Sequence, residues 1–211
     1  VPDITVSPSA NGICAGTVVL FEATIANGGT NPQYQWMVNG SPQGSNINTF
    51  TFSPVNGDII TCQLSSNAYC ASPSQIVSQS VLMSVLPVLT PEITITADQT
   101  AICLGDFVSF GSTVQNGGAD PVYTWQVNGM DVGNAPNYTY QPDNMDVVRC
   151  VLTSSENCVS QSNVSSNSIT ITATTQLTPS VAITTPNNTV CEGTTIVVES
   201  TVENGGSQPT Y

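Results

Sequence analysis

The chain has 211 residues and a formal net charge of −13, with 14 acidic residues, a single basic residue and no histidine. Nucleic acid and anionic membrane surfaces are bound through clusters of Lys and Arg, so neither is expected as a partner. The missing histidines exclude catalytic triads and histidine metal sites, and we expect no enzymatic activity and no cofactor. No apolar run is long enough to predict direct membrane insertion.

Residue usage narrows the structural class. Thr, Ser, Val, Asn, Gly and Pro dominate the chain, and these residues favour short strands and turns over helices. The chain is therefore predicted to be all-β. Seven cysteines recurring at related positions indicate an oxidising, extracytoplasmic setting.

The sequence repeats itself with a period near 88 residues. Cys14, Cys103 and Cys191 are separated by 89 and 88 residues. Three Asn-Gly-Gly motifs follow the same offsets, at 27–29, 116–118 and 204–206. A period of this length matches one sandwich domain, so a tandem array is predicted. The predicted copies are 1–88, 89–177 and a truncated third copy at 178–211.

Strands A and B open each copy. In copy one, Ile4 and Val6 predict a short strand A, and Cys14-Ala15-Gly16 predicts a turn into strand B. Comparing the copies shows which face of strand B stays apolar or small, and this face is predicted to be buried. Its members are Val19, Phe21, Ala23 and Ile25 in copy one and Val108, Phe110, Ser112 and Val114 in copy two.

Strand C carries the strongest signal. The stretch Tyr34–Gly40 returns as Tyr123–Gly129, and in both Tyr, Trp and Val alternate with polar residues. The Asn-Gly pair at the end of each stretch predicts a type I′ hairpin turn. Trp36 and Trp125 occupy the same place in the two stretches, and a large indole on a central strand is typical of an immunoglobulin-like sandwich core. Each indole is predicted to centre its own domain.

Three more strands complete each predicted sandwich. Thr49–Phe52 and Asn137–Tyr140 predict strand E, which belongs to the sheet opposite strand C. Strand F is predicted at 59–65 and places Cys62 and, in copy two, Cys150 in the core, as buried thiols that join no disulfide. Strand G is predicted from the apolar positions Val81, Met83 and Val85, matched by Ile169, Ile171 and Ala173.

Short segments at 86–91 and 174–179 link the copies. Each contains a proline that holds its neighbour extended, so these linkers are predicted to be stiff. The fold expected from the sequence is therefore a tandem series of immunoglobulin-like β-sandwich domains in an elongated end-to-end array.

Several spaced motifs together resemble a known repeat type. They are Ile-Cys-Ala-Gly before strand B, Asn-Gly-Gly after it, Tyr-x-Trp-x-Val-Asn-Gly in strand C and Thr-Cys-Gln-Leu-Ser-Ser-Asn-Ala-Tyr-Cys from strand F onward. These motifs resemble the Ig-like or PKD-like repeats of large Bacteroidota surface adhesins, namely SprB-type gliding-motility adhesins and other type IX secretion substrates. The resemblance implies the stalk of a secreted filamentous adhesin at the bacterial cell surface. The partners it implies are neighbouring repeats of the same long chain and, beyond them, surface glycans or other cells.

The sequence allows more than one disulfide pattern. The candidates are Cys14, Cys70, Cys103, Cys158 and Cys191. In immunoglobulin topology the turn at Cys14 and the loop at Cys70 lie at opposite ends of a domain, beyond the Cα separation of about 7 Å that a disulfide allows. An end-to-end array would instead allow Cys14 to reach Cys158, and would allow Cys103 to reach a partner, missing from this sequence, in the third copy. A Cys14–Cys70 bond, which related repeats favour, and a Cys14–Cys62 bond or none remain alternatives.

One candidate metal site is present. Asp143 and Asp146 in the predicted E–F loop, with Asn144 between them, could supply oxygen ligands to calcium. Across this loop copy one offers only Val55 and Asp58, and no Asp-rich loop has regular ligand spacing, so solvated loop acids are the expected interpretation. The same argument applies to a pair of catalytic carboxylates at this place.

Two other functions are compatible with the sequence. A carbohydrate-binding module array would need exposed aromatic side chains, and the candidates are Tyr34, Tyr69, Tyr123, Tyr138, Tyr140 and Tyr211. Only Tyr69, in the F–G loop, is predicted to be fully exposed. A filament subunit completed by a strand from its neighbour is the other alternative.

Overall fold

The computed structural model describes residues 1–186 and 189–210, which fold into strands, turns and loops. The first ten strands are β1 Asp3–Pro8, β2 Ile13–Cys14, β3 Val19–Ala26, β4 Gln33–Val38, β5 Ser41–Gln43, β6 Thr49–Phe52, β7 Ile59–Ser65, β8 Gln75–Val77, β9 Val81–Leu82 and β10 Val85–Leu86. The next ten are β11 Glu92–Ala97, β12 Ala101–Cys103, β13 Val108–Gln115, β14 Val122–Val127, β15 Met130–Gly133, β16 Tyr138–Tyr140, β17 Val147–Thr153, β18 Asn163–Ser165, β19 Ile169–Thr170 and β20 Thr172–Thr174. Strands β21 Ser180–Thr184 and β22 Glu199–Glu203 follow. Among these described residues, no helix has the length and apolarity that crossing a membrane requires.

Contacts within the chain divide it into two compact units. The first comprises Val1–Ile93, Thr113–Tyr123 and Val151–Ser166, and the second comprises Thr94–Ser112, Thr124–Cys150 and the residues from Asn167 onward. Both units draw on more than one copy of the sequence repeat. The domain boundaries 1–88, 89–177 and 178–211, and the end-to-end arrangement, therefore stay predictions.

Strands β1 to β10 form two main sheets and one two-stranded sheet around a common core. One sheet has the order β1-β3-β6, and the other has the order β5-β4-β7-β8, with β9 also paired to β7. Strand β10 pairs in parallel with β2. The buried side chains of these strands form one cluster, which comprises Ile4, Ile13, Val19, Phe21, Ala23, Trp36, Val38, Phe50, Ile60, Cys62, Leu64, Met83 and Val85. This is a β-sandwich, and the predicted inward faces of strands B and F supply six of these thirteen core residues.

Trp36 lies at the centre of this core. Its side chain is fully buried, and its ring centroid is 5.6 Å from that of Phe50 on the opposite sheet, which in turn lies 6.2 Å from Phe21. The indole N–H donates to the carbonyl of Ile47 at 2.9 Å, so the one polar atom of the side chain is satisfied. Trp36 thereby joins the two sheets.

Strands β11 to β20 repeat the same topology. Their sheets have the orders β11-β13-β16 and β15-β14-β17-β18, with β19 on β17 and with β12 parallel to β20. Trp125 is fully buried, 6.1 Å from Phe110 and 5.8 Å from Tyr138 between ring centroids, and donates to the carbonyl of Ala135 at 2.8 Å. The prediction of immunoglobulin-like all-β sandwiches, with each tryptophan between its own pair of sheets, is confirmed.

Strand G differs from its prediction. The alternating residues Val81, Met83 and Val85 do not form one strand, because β9 pairs with β7 whereas β10 leaves that sheet and pairs with β2. An unpredicted strand, β8, precedes them and also pairs with β7. Between β8 and β9 the buried hydroxyl of Ser78 accepts the N–H of Cys62 at 3.1 Å, replacing a backbone acceptor. The alternation persists across the break because both sheets face one core.

Candidate functional site

A disulfide between Cys14 and Cys158 is the most distinctive covalent feature of the chain. The two Cα atoms are 5.4 Å apart and the two residues are 144 positions apart in sequence. Both belong to the first compact unit, although the sequence repeat assigns them to copies one and two. Cys14 is therefore bonded neither to Cys70 nor to Cys62. Closing such a loop restricts the unfolded chain and contributes about 2–4 kcal/mol to stability.

The turn that presents Cys14 is built by its sequence. The N–H of Thr17 donates to the carbonyl of Cys14 at 3.1 Å, and Gly16 between them has a φ of +87°, which favours glycine. The N–H of Ala15 donates to the carbonyl of Leu86 at 2.9 Å, next to the parallel β2–β10 pairing. The sulfur is thus held at the end of a short strand, where the sequence predicted a turn alone.

The loop that presents Cys158 rests on the Asn-Gly-Gly motif of copy two. The N–H of Ser155 donates to the carbonyl of Gly117 at 2.9 Å, and the hydroxyl of Ser154 donates to the carbonyl of Asn116 at 2.7 Å. Gly118 has a φ of +83°, and a Cβ there would lie 2.8 Å from the backbone nitrogen of Glu156. The second glycine of the motif is required because the F–G loop packs directly on it, a role that the sequence did not show.

The same arrangement recurs in copy one. The hydroxyl of Ser66 donates to the carbonyl of Asn27 at 2.8 Å, and the N–H of Asn67 donates to the carbonyl of Gly28 at 3.2 Å. A Cβ on Gly29 would lie 2.6 Å from the nitrogen of Ala68. Both F–G loops are therefore held by their B–C turns through equivalent bonds.

The linker segment at Leu89 is bound to the loop that carries Cys158. The N–H of Leu89 donates to the carbonyl of Cys158 at 2.8 Å, and the N–H of Ser160 donates to the carbonyl of Leu89, also at 2.8 Å. Leu89 and Val159 form a parallel β-bridge, and the side chain of Leu89 is half-buried. A disulfide and a two-bond backbone bridge thus hold the same loop. The sequence predicted a stiff linker, and these hydrogen bonds supply a partner for it that no local pattern reveals.

The other cysteines fall into two groups. Cys62 and Cys150 are fully buried thiols in strands β7 and β17. Burial raises the pKa of the Cys62 thiol to about 11 and also raises the pKa of Cys150. The remaining disulfide candidates are exposed thiols, and within the described residues none of them is disulfide-bonded: Cys70, Cys103 and Cys191.

The two calcium candidates are engaged in the hydrogen bonding of the E–F loop. Asp146 accepts from the N–H of Asp143 at 2.9 Å, from the Tyr140 hydroxyl at 3.1 Å and from the Asn128 amide at 2.7 Å. The pKa of Tyr140 is raised above its ordinary range, mainly by burial of the side chain and also by the neighbouring Asp146 carboxylate. The described residues contain no group of three or more His, Cys, Asp or Glu side chains that could hold a metal ion.

Copy one shows that this carboxylate has a structural role. Asp58 is buried and accepts from the Asn39 amide at 2.8 Å, while Asn39 accepts from the N–H of Ile59 at 2.9 Å. Asn39 and Gly40 have φ values of +52° and +78°, as the predicted type I′ turn requires. An Asn in the turn that follows strand C thus pairs with an Asp at the start of strand F in both copies, and Asp146 is the second instance.

The tyrosines differ in exposure as the sequence predicted. Tyr69 is 98% exposed in the F–G loop of copy one. The candidates in strands β4, β14 and β16 are half-buried, namely Tyr34, Tyr123, Tyr138 and Tyr140. Tyr211 lies outside the described residues.

Comparisons with known proteins find no family and only remote similarity to solved structures. No family model and no curated protein matches the chain. The fold is immunoglobulin-like. Among solved structures, the three N-terminal domains of the highly immunogenic outer capsid protein of bacteriophage RB49 have 16% identity and a TM-score of 0.34, covering 99% of this chain and 73% of that one. Murine CEACAM1b has 12% identity and a TM-score of 0.36, with coverages of 82% and 100%. Fibronectin(III)-like modules of Clostridium thermocellum CbhA have 13% identity and a TM-score of 0.35, with coverages of 80% and 95%. At these values none of these similarities carries an argument about function.

Proposed function

We propose that the chain is a structural spacer of an extracellular protein, in which tandem immunoglobulin-like repeats are reinforced by disulfides that cross the sequence copies. The observation that carries the proposal is the Cys14–Cys158 bond together with the Leu89 bridge. The disulfide fixes a turn of copy one, and the Leu89 bridge fixes the segment at the start of copy two, against the same loop near the end of copy two. A disulfide of this kind persists in an oxidising compartment, which supports an extracellular location.

The sequence motifs that resemble the repeats of Bacteroidota surface adhesins support a more specific role. On this basis the spacer belongs to a secreted bacterial surface adhesin of the gliding-motility type, exported by the type IX system. The proposed role is non-enzymatic, and its partners are neighbouring repeats of the same chain. The acidic charge supports it, since 14 acids against one base keep repeats soluble and self-repelling.

Pulling the chain from its two ends tests the mechanical role. The 144 residue steps between Cys14 and Cys158 cannot extend while the bond is closed. At about 3.5 Å per residue, we expect roughly 500 Å of contour length to be released in single-molecule force spectroscopy only after a reductant is added. The Cys14→Ser variant, which lacks the bond, is the control and should release this length without reductant. Equal extension of both proteins under oxidising conditions would contradict the proposal.

Glycan binding is the second candidate, favoured by the 98% exposure of Tyr69. An exposed aromatic ring can stack on a sugar face. A glycan array probed with the chain and with Tyr69→Ala tests this directly, because Tyr69 contributes nothing to the core. Binding that Tyr69→Ala abolishes would support this function, and equal signals from both proteins would exclude Tyr69 as its site.

A further inference from the structure

The second unit contains a counterpart of the Cys14 turn whose thiol is exposed. Cys103 ends β12, which pairs in parallel with β20 as β2 pairs with β10. The N–H of Leu104 donates to the carbonyl of Thr174 at 2.7 Å, and the N–H of Asp106 donates to the carbonyl of Cys103 at 3.0 Å. These are the bonds made by Ala15 and Thr17 around Cys14. The backbone around Cys103 therefore has the geometry of the turn that forms a disulfide in the first unit.

The linker also has a counterpart. Leu177-Thr178-Pro179 repeats Leu89-Thr90-Pro91 at an offset of 88. Leu89 is half-buried and bonded through both its backbone N–H and its carbonyl to the Cys158 loop, whereas Leu177 is 64% exposed. In the first unit, one loop binds both the sulfur of the turn cysteine and the backbone of the linker leucine. In the second unit, the equivalent residues, Cys103 and Leu177, are both exposed.

We propose that Cys103 and Leu177 form a docking site for an F–G loop of this same repeat type. The occupant is an extended segment like Asn157–Ser160, supplied by another copy of the repeat. Its cysteine would form a disulfide with Cys103, and its backbone would exchange two hydrogen bonds with Leu177, as Cys158 and Ser160 do with Leu89. The proposal deepens the spacer function, on which it rests, by naming the partner of the second linkage.

The covalent step is thiol–disulfide exchange. The incoming loop carries its cysteine as a mixed disulfide with a small thiol, which is the oxidised reactant. The Cys103 thiolate attacks the loop sulfur, a Cys103–loop S–S bond forms, the original S–S bond breaks and the small thiolate leaves with the electron pair. One disulfide replaces another, so no further oxidant is needed.

A peptide with the sequence of residues 154–162 provides the test. Its cysteine is converted to the mixed disulfide with thionitrobenzoate, so each exchange releases a coloured thiolate. The chain, with its Cys14–Cys158 bond intact, offers three exposed thiols, Cys70, Cys103 and Cys191. Cys191 is the matched internal control because the N–H of Thr194 donates to the carbonyl of Cys191 at 3.1 Å, giving the same turn. We expect the peptide to react with Cys103 about tenfold faster than with Cys191, because two backbone hydrogen bonds would hold it only at Cys103.

The variant Leu177→Pro removes the N–H that the loop would bind, which is one of the two hydrogen bonds, and should lower the rate at Cys103 about threefold, towards that at Cys191. The symmetrical disulfide of thionitrobenzoate, which carries no peptide, should react at the same rate with Cys103 of the wild type and of Leu177→Pro. This result would show that the reactivity of the thiol itself is unchanged. Equal peptide labelling of Cys103 and Cys191, or a preference that Leu177→Pro leaves undiminished, would overturn the proposal. Either outcome leaves the force measurement on Cys14–Cys158 unaffected, so failure here is distinguishable from failure of the spacer function.

Discussion

Single residues at the centre of the first sandwich combine burial with satisfied polar atoms. The Trp36 indole spans the two sheets and donates to Ile47, and the neighbouring Cys62 thiol is fully enclosed. Neither side chain reaches solvent, so both act on stability and neither on surface recognition. Their contributions can be measured separately, because one depends on packing and the other on pH.

Replacing Trp36 with alanine should destabilise the first sandwich by about 3–5 kcal/mol, since it removes a fully buried ring and leaves a cavity between the sheets. Urea unfolding followed by circular dichroism measures this change. The exposed neighbour Gln35 is the control, and Gln35→Ala should cost about 1 kcal/mol or less. A small effect of Trp36→Ala would mean that the indole does not organise the core.

The raised pKa of Cys62 predicts a loss of stability in alkali. The thiol titrates near 9 ordinarily and at about 11 in the fold. The unfolded chain therefore loses this proton first, so the stabilising contribution is complete below pH 9 and is lost as the pH rises towards 11. The difference amounts to about 2 kcal/mol at the upper end. Urea midpoints measured from pH 8 to 11 should fall more steeply for the wild type than for Cys62→Ala, and parallel curves would contradict the assignment.

At the scale of elements, the Asn-Gly-Gly motif links a turn to a distant loop. Its second glycine has a positive φ and also lies against the backbone of the F–G loop, in copy one at Gly29 and in copy two at Gly118. These two constraints are distinct. A positive φ penalises any Cβ, whereas the close approach penalises it only where the loop is present.

Alanine at Gly29 should therefore cost more than alanine at Gly40. Both glycines have positive φ, +86° and +78°, but a Cβ on Gly40 meets nothing within 4 Å. We expect Gly40→Ala to lose about 1–2 kcal/mol from backbone strain alone. Gly29→Ala should lose about 3 kcal/mol or more, because the loop at Ala68 must also move. Thermal midpoints of the two variants provide the comparison, and equal shifts would show that the loop yields freely.

The sequence predicted the elements better than their partners. Strand C, strand F and the inward positions of strand B followed from alternation, since one buried face imposes period two wherever a strand lies on a core. The break in strand G could not be predicted, because Met83 and Val85 keep their alternation while the chain changes sheets. The Leu89 bridge was equally hidden, because its bonds are made by backbone atoms that any residue carries.

At the scale of the whole molecule, the repeat determines which cysteines can meet. The period near 88 residues, with immunoglobulin topology, was enough to offer Cys14–Cys158 as one pairing, but spacing alone could not choose it over Cys14–Cys70. The choice depends on which loop ends lie together in three dimensions. The structure places Cys158 at the Cys14 turn and leaves Cys70 exposed.

The disulfide turns residues 14–158 into a covalent ring, and the only basic residue of the chain, Arg149, lies inside it. Trypsin cuts after basic residues, so it should cleave this ring once. The two resulting fragments remain joined by the Cys14–Cys158 disulfide. Digestion at elevated temperature should give a single band on a non-reducing gel and two fragments, 1–149 and 150–211, after reduction. Cys14→Ser should separate without reductant. Wild-type fragments that part in the absence of reductant would refute this topology, whereas their retention would show a molecule that survives a backbone break as one connected body.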